Sequence, residues 1–299
     1  MSKAVLCAGR LYCDLIFTDT PRLPTLGTEV FAGGVSMRAG GGAFITAATL
    51  AAVGTRAAQF SILPAAPFGA TVVAELTSHN VSTRLCTQAP PFADPQITVA
   101  MTCGKDRAFL TRAFGAAIPP FEPNMLSEFS HLHIGELSTL EENPTLVDIA
   151  HSCGLTVSLD CGWQDNFRPE VHDLIAAVDV FLPNQREVAA LLEIGIPETC
   201  AELTVIKNGE DGARAGYRTE PGWVNEPTKP VTVLDATGAG DAFNGGFLSE
   251  WLKGSPLRDA LRVANACGAA TVQTIGGAAD PAAFAKPLAK EPGMQEHEG

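Results

Sequence analysis

The sequence predicts an α/β fold with a central, mostly parallel sheet. From residue 155 onward, short apolar runs alternate with helical patterns, a rhythm typical of βαβ units. A glycine turn at 238–240 separates an apolar run from a helical pattern, as at the C-terminal end of a parallel strand. The 299 residues are 46% hydrophobic and 18% charged, so the chain can bury a large core.

The first half of the chain contributes strands and an alanine-rich helix. In chain order we predict a strand at 4–9, an alternating segment at 10–17, a β-like piece at 29–31, a helix from Gly41 to Gly54, a strand at 57–63, a helix at 68–80 and strands at 97–103, 107–112 and 131–135. Residues 104–106 are typical of a hairpin turn between two of these strands.

The second half follows a regular strand–helix order. We predict strands at 155–160, 178–182, 203–207 and 213–217, a helix after Asn184, a strand ending at Val231–Leu234, a helix from the glycine turn to Gly254 and a last helix at 256–274. No internal repeat or low-complexity linker divides the sequence, so we expect one domain over residues 1–299.

The stretch 235–247 carries the clearest chemistry. Gly238 and Gly240 leave the backbone bare at a helix start, where unpartnered amides and the helix dipole attract anions. Asp241 follows them, and a carboxylate beside an anion site can accept a proton from an attacking hydroxyl. The glycines and Asp241 could instead only turn and cap the chain, because Asp is a favoured N-cap residue.

The string Asp235-Ala-Thr-Gly-Ala-Gly-Asp241-Ala-Phe closely resembles the C-terminal motif of the PfkB (ribokinase-like) carbohydrate kinases, roughly D-T-x-G-A-G-D-x-F. The resemblance implies a three-layer sandwich with a small β-sheet lid over the substrate. It also implies that Asp241 is the base and that the amides of Gly238, Ala239, Gly240 and Asp241 form an anion hole for the transferring phosphoryl group. The lid strands would come from about 12–36 and 97–112.

The resemblance extends to the N-terminal half. Gly9-Arg-Leu-Tyr-Cys-Asp14 matches a family pattern whose Asp hydrogen-bonds sugar hydroxyls, although Asp14 could also be an exposed turn residue. Ile45 stands where the family usually has an Asn, a departure that removes one polar partner and points to a different acceptor. The implied substrate-binding residues are Asp14, Gly40, Gly41, Ile45 and Arg107.

The family's N-x-x-E motif, which helps to hold Mg²⁺, is matched by Asn184 and Glu187. The same two residues could form only a capping box at a helix start. Some relatives hold K⁺ near the positions of Asp235 and Thr237, which makes these two residues candidate K⁺ ligands. The implied nucleotide-binding residues are Asn184, Lys207, Gly209, Gly212, Asn265 and Gly268.

Charge and cysteine usage limit the other classes of function. The net charge of −13 argues against nucleic-acid binding, and no apolar stretch is long enough for a membrane span. The eight cysteines contain no C-x-x-C pair, and the N-terminus lacks a signal-peptide pattern, so we expect free thiols in the cytoplasm. His131 and His133 share one strand face but lack a third metal ligand nearby in the sequence.

Taken together, the sequence predicts ATP-Mg²⁺-dependent phosphorylation of a hydroxyl on a small sugar or sugar acid. Two alternatives stay open: a nucleoside kinase of the same fold, for which Phe17, Phe31 and Phe109 could clamp a base, and a non-catalytic sugar or nucleotide sensor. The intact Asp241 argues against the sensor. Apolar lid strands could also pair between subunits in a homodimer.

Overall fold

The computed structural model describes residues 4–103, 106–162, 164 and 166–284. The strands are β1 (Ala4–Ala8), β2 (Tyr12–Thr18), β3 (Gly34–Gly40), β4 (Ala57–Phe60), β5 (Ile62–Leu63), β6 (Thr87–Gln88), β7 (Ile97–Cys103), β8 (Asp106–Arg112), β9 (Phe129–Ile134), β10 (Thr156–Leu159), β11 (Val180–Phe181), β12 (Leu203–Lys207), β13 (Ala213–Tyr217) and β14 (Val224–Glu226). The α-helices are α1 (Gly42–Ala52), α2 (Phe68–Ser78), α3 (Leu137–Glu142), α4 (Leu146–Ser152), α5 (Val171–Ala176), α6 (Gln185–Glu193), α7 (Ala239–Trp251) and α8 (Leu257–Thr271).

The central sheet has eight strands in the order β14-β13-β12-β11-β10-β9-β1-β4. The pairs from β12 to β4 are parallel, whereas β13 and β14 are antiparallel to their neighbours at one edge. One buried cluster packs α1, α7 and α8 on one face, and a second packs α3 to α6 on the other. This three-layer α/β arrangement confirms the predicted fold class.

The alternation of side chains along a strand explains why helices can cover both faces of the central sheet. On β9, Leu132 and Ile134 belong to the cluster on the α3–α6 face. His131 points to the opposite face, where its ring meets Trp251 of α7 at 5.8 Å. A period of two places neighbouring side chains on opposite sides of a sheet, and residues 131–134 are all buried, so β9 is covered on both faces.

A separate four-stranded sheet, in the order β3-β2-β7-β8, lies outside the central sheet. The strands β2 and β3 pair antiparallel over their whole length, and β7 and β8 form the expected hairpin. Residues 104 and 105 of the turn predicted at 104–106 lie outside the described residues, and residue 106 begins β8. We call this element the second sheet.

Two of the predicted strand segments are wrong. Residues 29–31 and 231–234 have no strand geometry, and the side chains of Phe31 and Leu234 are 77% and 66% exposed. The amide of Leu234 instead donates to the carbonyl of Val272, at the end of α8, over 2.7 Å. The strand that pairs with β13 at this edge of the sheet is β14, and the apolar run 231–234 lies outside the sheet. Across the described part of the chain, no helix combines the length and apolar character that a bilayer crossing needs.

Candidate active site

Asp241 lies where the first turns of two helices meet. It is in the first turn of α7, whose N-cap Gly238 adopts the left-handed region with φ of 71°. Within the described residues no side chain caps this turn, and the amide of Ala239 makes a long hydrogen bond of 3.4 Å to the carbonyl of Ala236. A helix N-terminus without a side-chain cap is a position where an anion can bind to backbone amides. A Cβ built on Gly42, the first residue of α1, would lie only 2.6 Å from Oδ1 of Asp241. The carboxylate of Asp241 therefore contacts the backbone at the first residue of α1.

Asp14 joins the same region from the second sheet. Its carboxylate lies so close to Gly40 that any side chain at residue 40 would overlap with it. Burial raises the pKa of Asp14 to about 7, a hydrogen bond from Thr98 opposes the rise, and the charge of Glu75 adds to it. The glycine run 40–42 thus connects the carboxylates of Asp14 and Asp241.

A buried polar cluster lies beside Asp241. The Lys207 ammonium, at the end of β12, donates to Oδ2 of Asp160 over 2.6 Å and contacts Oδ1 of Asn244 at 3.4 Å. The Asn244 amide also donates to Oδ2 of Asp160. Lys207 faces the glycine turn as well, because a Cβ on Gly240 would lie 3.4 Å from its Nζ. We call Asp160, Lys207 and Asn244 the lysine cluster.

The neighbouring charges explain the protonation behaviour of Asp241. Burial raises its pKa to about 7, the carboxylate of Asp160 adds to the rise, and Lys207 opposes it. Burial lowers the pKa of Lys207, but Asp160 and Glu187 outweigh burial and keep the ammonium charged. A carboxyl group poised near neutral pH beside a fixed positive charge has the properties of a general base.

Asn184 and Glu187 form the capping box that the sequence left open as an alternative. Oδ1 of Asn184 accepts the amide of Glu187 at 3.0 Å, and Oε2 of Glu187 accepts the amide of Asn184 at 2.7 Å. Burial and the charge of Asp160 raise the pKa of Glu187 to about 7. In the described residues, no group of three His, Cys, Asp or Glu side chains is arranged as a metal site. An excess of carboxylates over cations would nevertheless be relieved by a hydrated Mg²⁺ brought in with a nucleotide.

Asp235 is enclosed by donors from the chain itself. Its Oδ1 accepts the guanidinium of Arg107 at 2.5 Å, and the amide and hydroxyl of Thr237 at 2.9 and 2.6 Å. Its Oδ2 accepts the amide of Gly276 at 3.0 Å. Burial raises the pKa of Asp235, but the hydrogen bonds from Thr237 and Gly276 and the charge of Arg107 hold it below its usual value.

Ile45 supports the glycine turn from beneath. It is 4% exposed in α1, and a Cβ on Gly277 would lie 2.5 Å from its Cδ1. A Cβ on Gly238 would in turn lie 2.5 Å from the carbonyl oxygen of Gly277. Ile45 therefore packs against the turn at 276–277, and that turn packs against the N-cap of α7.

The candidate nucleotide residues fall into two groups. Gly212 lies against the carbonyl of Glu226, and the Asn265 amide donates to the same oxygen over 3.0 Å, while Gly268 of α8 faces the carbonyl of Ala239. These three follow one path from the sheet edge to the start of α7. Gly209 lies apart from them in an exposed turn with no neighbour within 4 Å of its Cβ position.

The sequence patterns gave no role to Asn244 or Gly42. Asp160 was detectable as a carboxylate at a strand end, and Gly42 as the third glycine of its run. The two strand histidines are core residues: His131 contacts Thr156 and Ser158 at 2.7 and 2.8 Å, and burial lowers its pKa to about 3.

An α/β sandwich in which a helix N-terminus adjoins a half-buried carboxylate can hold an anion beside a proton acceptor, which is what a small-molecule kinase requires. Residues 2–283 match the family model described as pfkB family carbohydrate kinase. The chain belongs to this family, which confirms the resemblance seen in its motifs.

Similar proteins include kinases for several small molecules. An ATP-dependent ribose-1-phosphate kinase from Halopiger xanaduensis is 38% identical over 140 residues, but this match covers only 46% of either chain. A 2-dehydro-3-deoxygalactonokinase from Haloferax volcanii is 29% identical over 75% of this chain and 78% of its own. The solved structure of Arabidopsis thaliana ribokinase with ribose and ATP has a TM-score of 0.80 at 19% identity, and the two chains align over 97% and 100% of their lengths. The last likeness establishes the fold.

Proposed function

We propose that the protein transfers the γ-phosphoryl group of ATP to a hydroxyl of a small sugar or sugar acid, with Asp241 as the general base. The observation that carries this proposal is the position of Asp241, half-buried between the bare first turn of α7 and Gly42 of α1. Its pKa of about 7 allows it to be ionised before the reaction and to accept a proton during it.

The acceptor would lie between Asp14 and Asp241, along the glycine run 40–42. Asp14 orients one hydroxyl while Asp241 takes the proton of the attacking hydroxyl, which makes its oxygen a better nucleophile. The amides of residues 238–241 stabilise the charge on the transferring group, since they are fixed in place and need no reorganisation. Lys207, 3.4 Å from the Cβ position of Gly240, adds positive charge on the nucleotide side.

ATP would approach along the path of Gly212, Asn265 and Gly268, with its Mg²⁺ held through water near Asn184 and Glu187. The carboxylate excess around Glu187 supports this position for the cation, whose role is to neutralise the phosphates. The second sheet would close over the acceptor and exclude water, which otherwise competes as the phosphoryl acceptor.

A nucleoside acceptor is the second candidate. Phe109 lies two residues after Arg107 on β8, so both side chains face the same side of the second sheet, and the Phe109 ring is 51% exposed. The guanidinium of Arg107 is 5.3 Å from the centre of that ring. An exposed aromatic ring on the side facing Asp235 offers a stacking surface for a base. A cytidine kinase from Thermococcus kodakarensis is among the relatives, at 30% identity over 41% of this chain.

The second sheet also supports a proposal about assembly. Val35, Phe109 and Leu110 are between 51% and 69% exposed on it, and exposed apolar strands favour pairing with a second copy. A dimer mass in light scattering that Leu110→Lys converts to a monomer mass would support this; a monomer mass for the unaltered chain would contradict it.

Measuring ADP release from ATP-Mg²⁺ over a panel of acceptors tests the proposed activity. The panel contains aldoses, ketoses, sugar acids, ribose 1-phosphate and nucleosides, and Asp241→Asn protein serves as the blank. We expect one acceptor class to exceed the others while the blank stays silent. No turnover with any acceptor, together with tight ATP binding, would favour the sensor hypothesis, and equal turnover by the blank would refute the role of Asp241.

A further inference from the structure

Asp235 is a buried carboxylate next to the glycine turn, so its charge must be balanced before an anion can bind there. Its side chain is 9% exposed, and it holds two loops together by accepting from Thr237 and Gly276. An ionised carboxylate in such a place would repel the phosphoryl group that the adjacent amides attract. Some positive charge therefore has to accompany it.

The chain supplies this charge from a distant segment. Arg107 lies on β8 of the second sheet, 128 residues from Asp235 in sequence, and its Nη1 lies 2.5 Å from Oδ1 of Asp235. The guanidinium is 25% exposed, so the ion pair is partly desolvated and weakly screened. The motif residues on either side of Asp235, from Val231 to Gly240, are neutral, so the charge paired with Asp235 comes from outside the motif.

The same contacts make Asp235 a poor ligand for a metal cation. Each carboxylate oxygen has about two acceptor positions, and Oδ1 already receives three donors, from Arg107 and from the amide and hydroxyl of Thr237. A monovalent ion placed beside Oδ1 would also meet the charge of the guanidinium. The residues present at Asp235 and Thr237 therefore do not fit a K⁺ ion while Arg107 is in place.

We propose that Arg107 is a positioning residue that neutralises Asp235 in place of a monovalent cation, so that the anion hole works without K⁺. The inference rests on the proposed function, because it assumes that the turn at 238–241 binds a phosphoryl group. The charge of Arg107 reaches Asp235 only when β8 stands over the site. The anion hole is thus completed by the same segment that would cover the acceptor.

The test compares salts of equal ionic strength, which removes differences in general screening. We compare the unaltered chain with Arg107→Ala and Arg107→Lys, each in KCl and in tetramethylammonium chloride. The tetramethylammonium cation is too large to bind at a carboxylate site. Arg112→Ala is the matched control, since Arg112 lies on the same strand but pairs with Asp94, away from the turn, over 2.6 Å. The readouts are the melting temperature without ligand and kcat with the acceptor identified in the panel.

We expect the unaltered chain and Arg112→Ala to give the same melting temperature and the same kcat in both salts. Arg107→Ala should lose roughly 10- to 100-fold in kcat in tetramethylammonium, the effect of losing a charge-assisted hydrogen bond at a buried group. KCl should restore much of this loss and raise the melting temperature of Arg107→Ala alone. Arg107→Lys should keep the indifference to K⁺.

Three results would overturn the inference. The first is a K⁺-specific rise in melting temperature or kcat of the unaltered chain. The second is a normal kcat of Arg107→Ala in tetramethylammonium chloride. The third is that K⁺ neither raises the melting temperature of Arg107→Ala nor restores its kcat. The melting temperatures decide the question even if no acceptor is turned over, in which case the proposed function fails separately.

Discussion

Replacing Asp241 by Asn should remove activity and at the same time stabilise the protein. Asn has the same shape but cannot accept the proton, and a general base contributes roughly 10²- to 10⁴-fold to a rate. We therefore expect kcat to fall by about that factor, while ATP binding changes little because the amides of the turn remain. A residue that served only as a helix cap would not combine these two effects.

The size of the stabilisation follows from the pKa of Asp241. Its rise from the ordinary value of 3.8 to about 7 means that the ionised form costs the folded state up to about 4 kcal/mol. Water entry and local relaxation reduce this cost, so we expect a gain of about 2 kcal/mol in the free energy of unfolding. For a chain of 299 residues, an unfolding entropy of about 0.6 kcal/mol/K converts that gain to roughly 3 °C.

The gain must depend on pH in a defined direction. A carboxyl group whose folded pKa is raised contributes its full stability below the unfolded pKa and loses it as pH rises through the folded pKa. Asp241→Asn should therefore melt close to the unaltered chain at about pH 4 and above it at pH 8, with the difference growing between these values.

Scanning calorimetry across this range measures the difference. Asp148→Asn is the control, because Asp148 is also in the first turn of a helix but is exposed. A lower melting temperature for Asp241→Asn at pH 8, or near-normal turnover, would refute the assigned environment or the assigned role.

Three other predictions concern the same site. The value of kcat/KM should rise with pH to a plateau with an apparent pKa of about 7, because Asp241 must be ionised to act; a fall over this range in a pH–rate profile would contradict it. Gly42→Ala should lower kcat by about tenfold or more, because its Cβ would lie 2.6 Å from Oδ1 of Asp241 and 3.0 Å from the carbonyl oxygen of Gly135, and would displace the carboxylate; an unchanged kcat would contradict it. Lys207→Met should abolish turnover and cost about 3 kcal/mol in urea unfolding, since it leaves Asp160 buried without its counter-ion. The control Lys253→Met removes an exposed lysine and should change neither measurement; equal effects of both variants would exclude a special role for Lys207.

The local features of the site were accessible from sequence because short-range rules govern them. The left-handed N-cap at Gly238 and the capping box of Asn184 and Glu187 each depend on residues within one turn. The same rules explain the failure at 231–234, where an apolar run predicts a strand but does not reveal that β14 occupies the neighbouring edge. Strand pairing depends on residues far apart in the chain, so it cannot be predicted from one segment alone.

The sequence by itself determined the α/β class, the family motifs and the identity of the carboxylate in the first turn of α7. Only the tertiary structure decided what surrounds that carboxylate. Asp160 and Lys207 are 47 residues apart, and Asp235 and Arg107 are 128 apart, yet each pair is in direct contact. The first contact depends on strands that end at the same edge of the sheet, and the second on where the second sheet stands over it. The pKa of about 7 at Asp241 arises from burial and from the charges of Asp160 and Lys207, so only the folded chain can produce it.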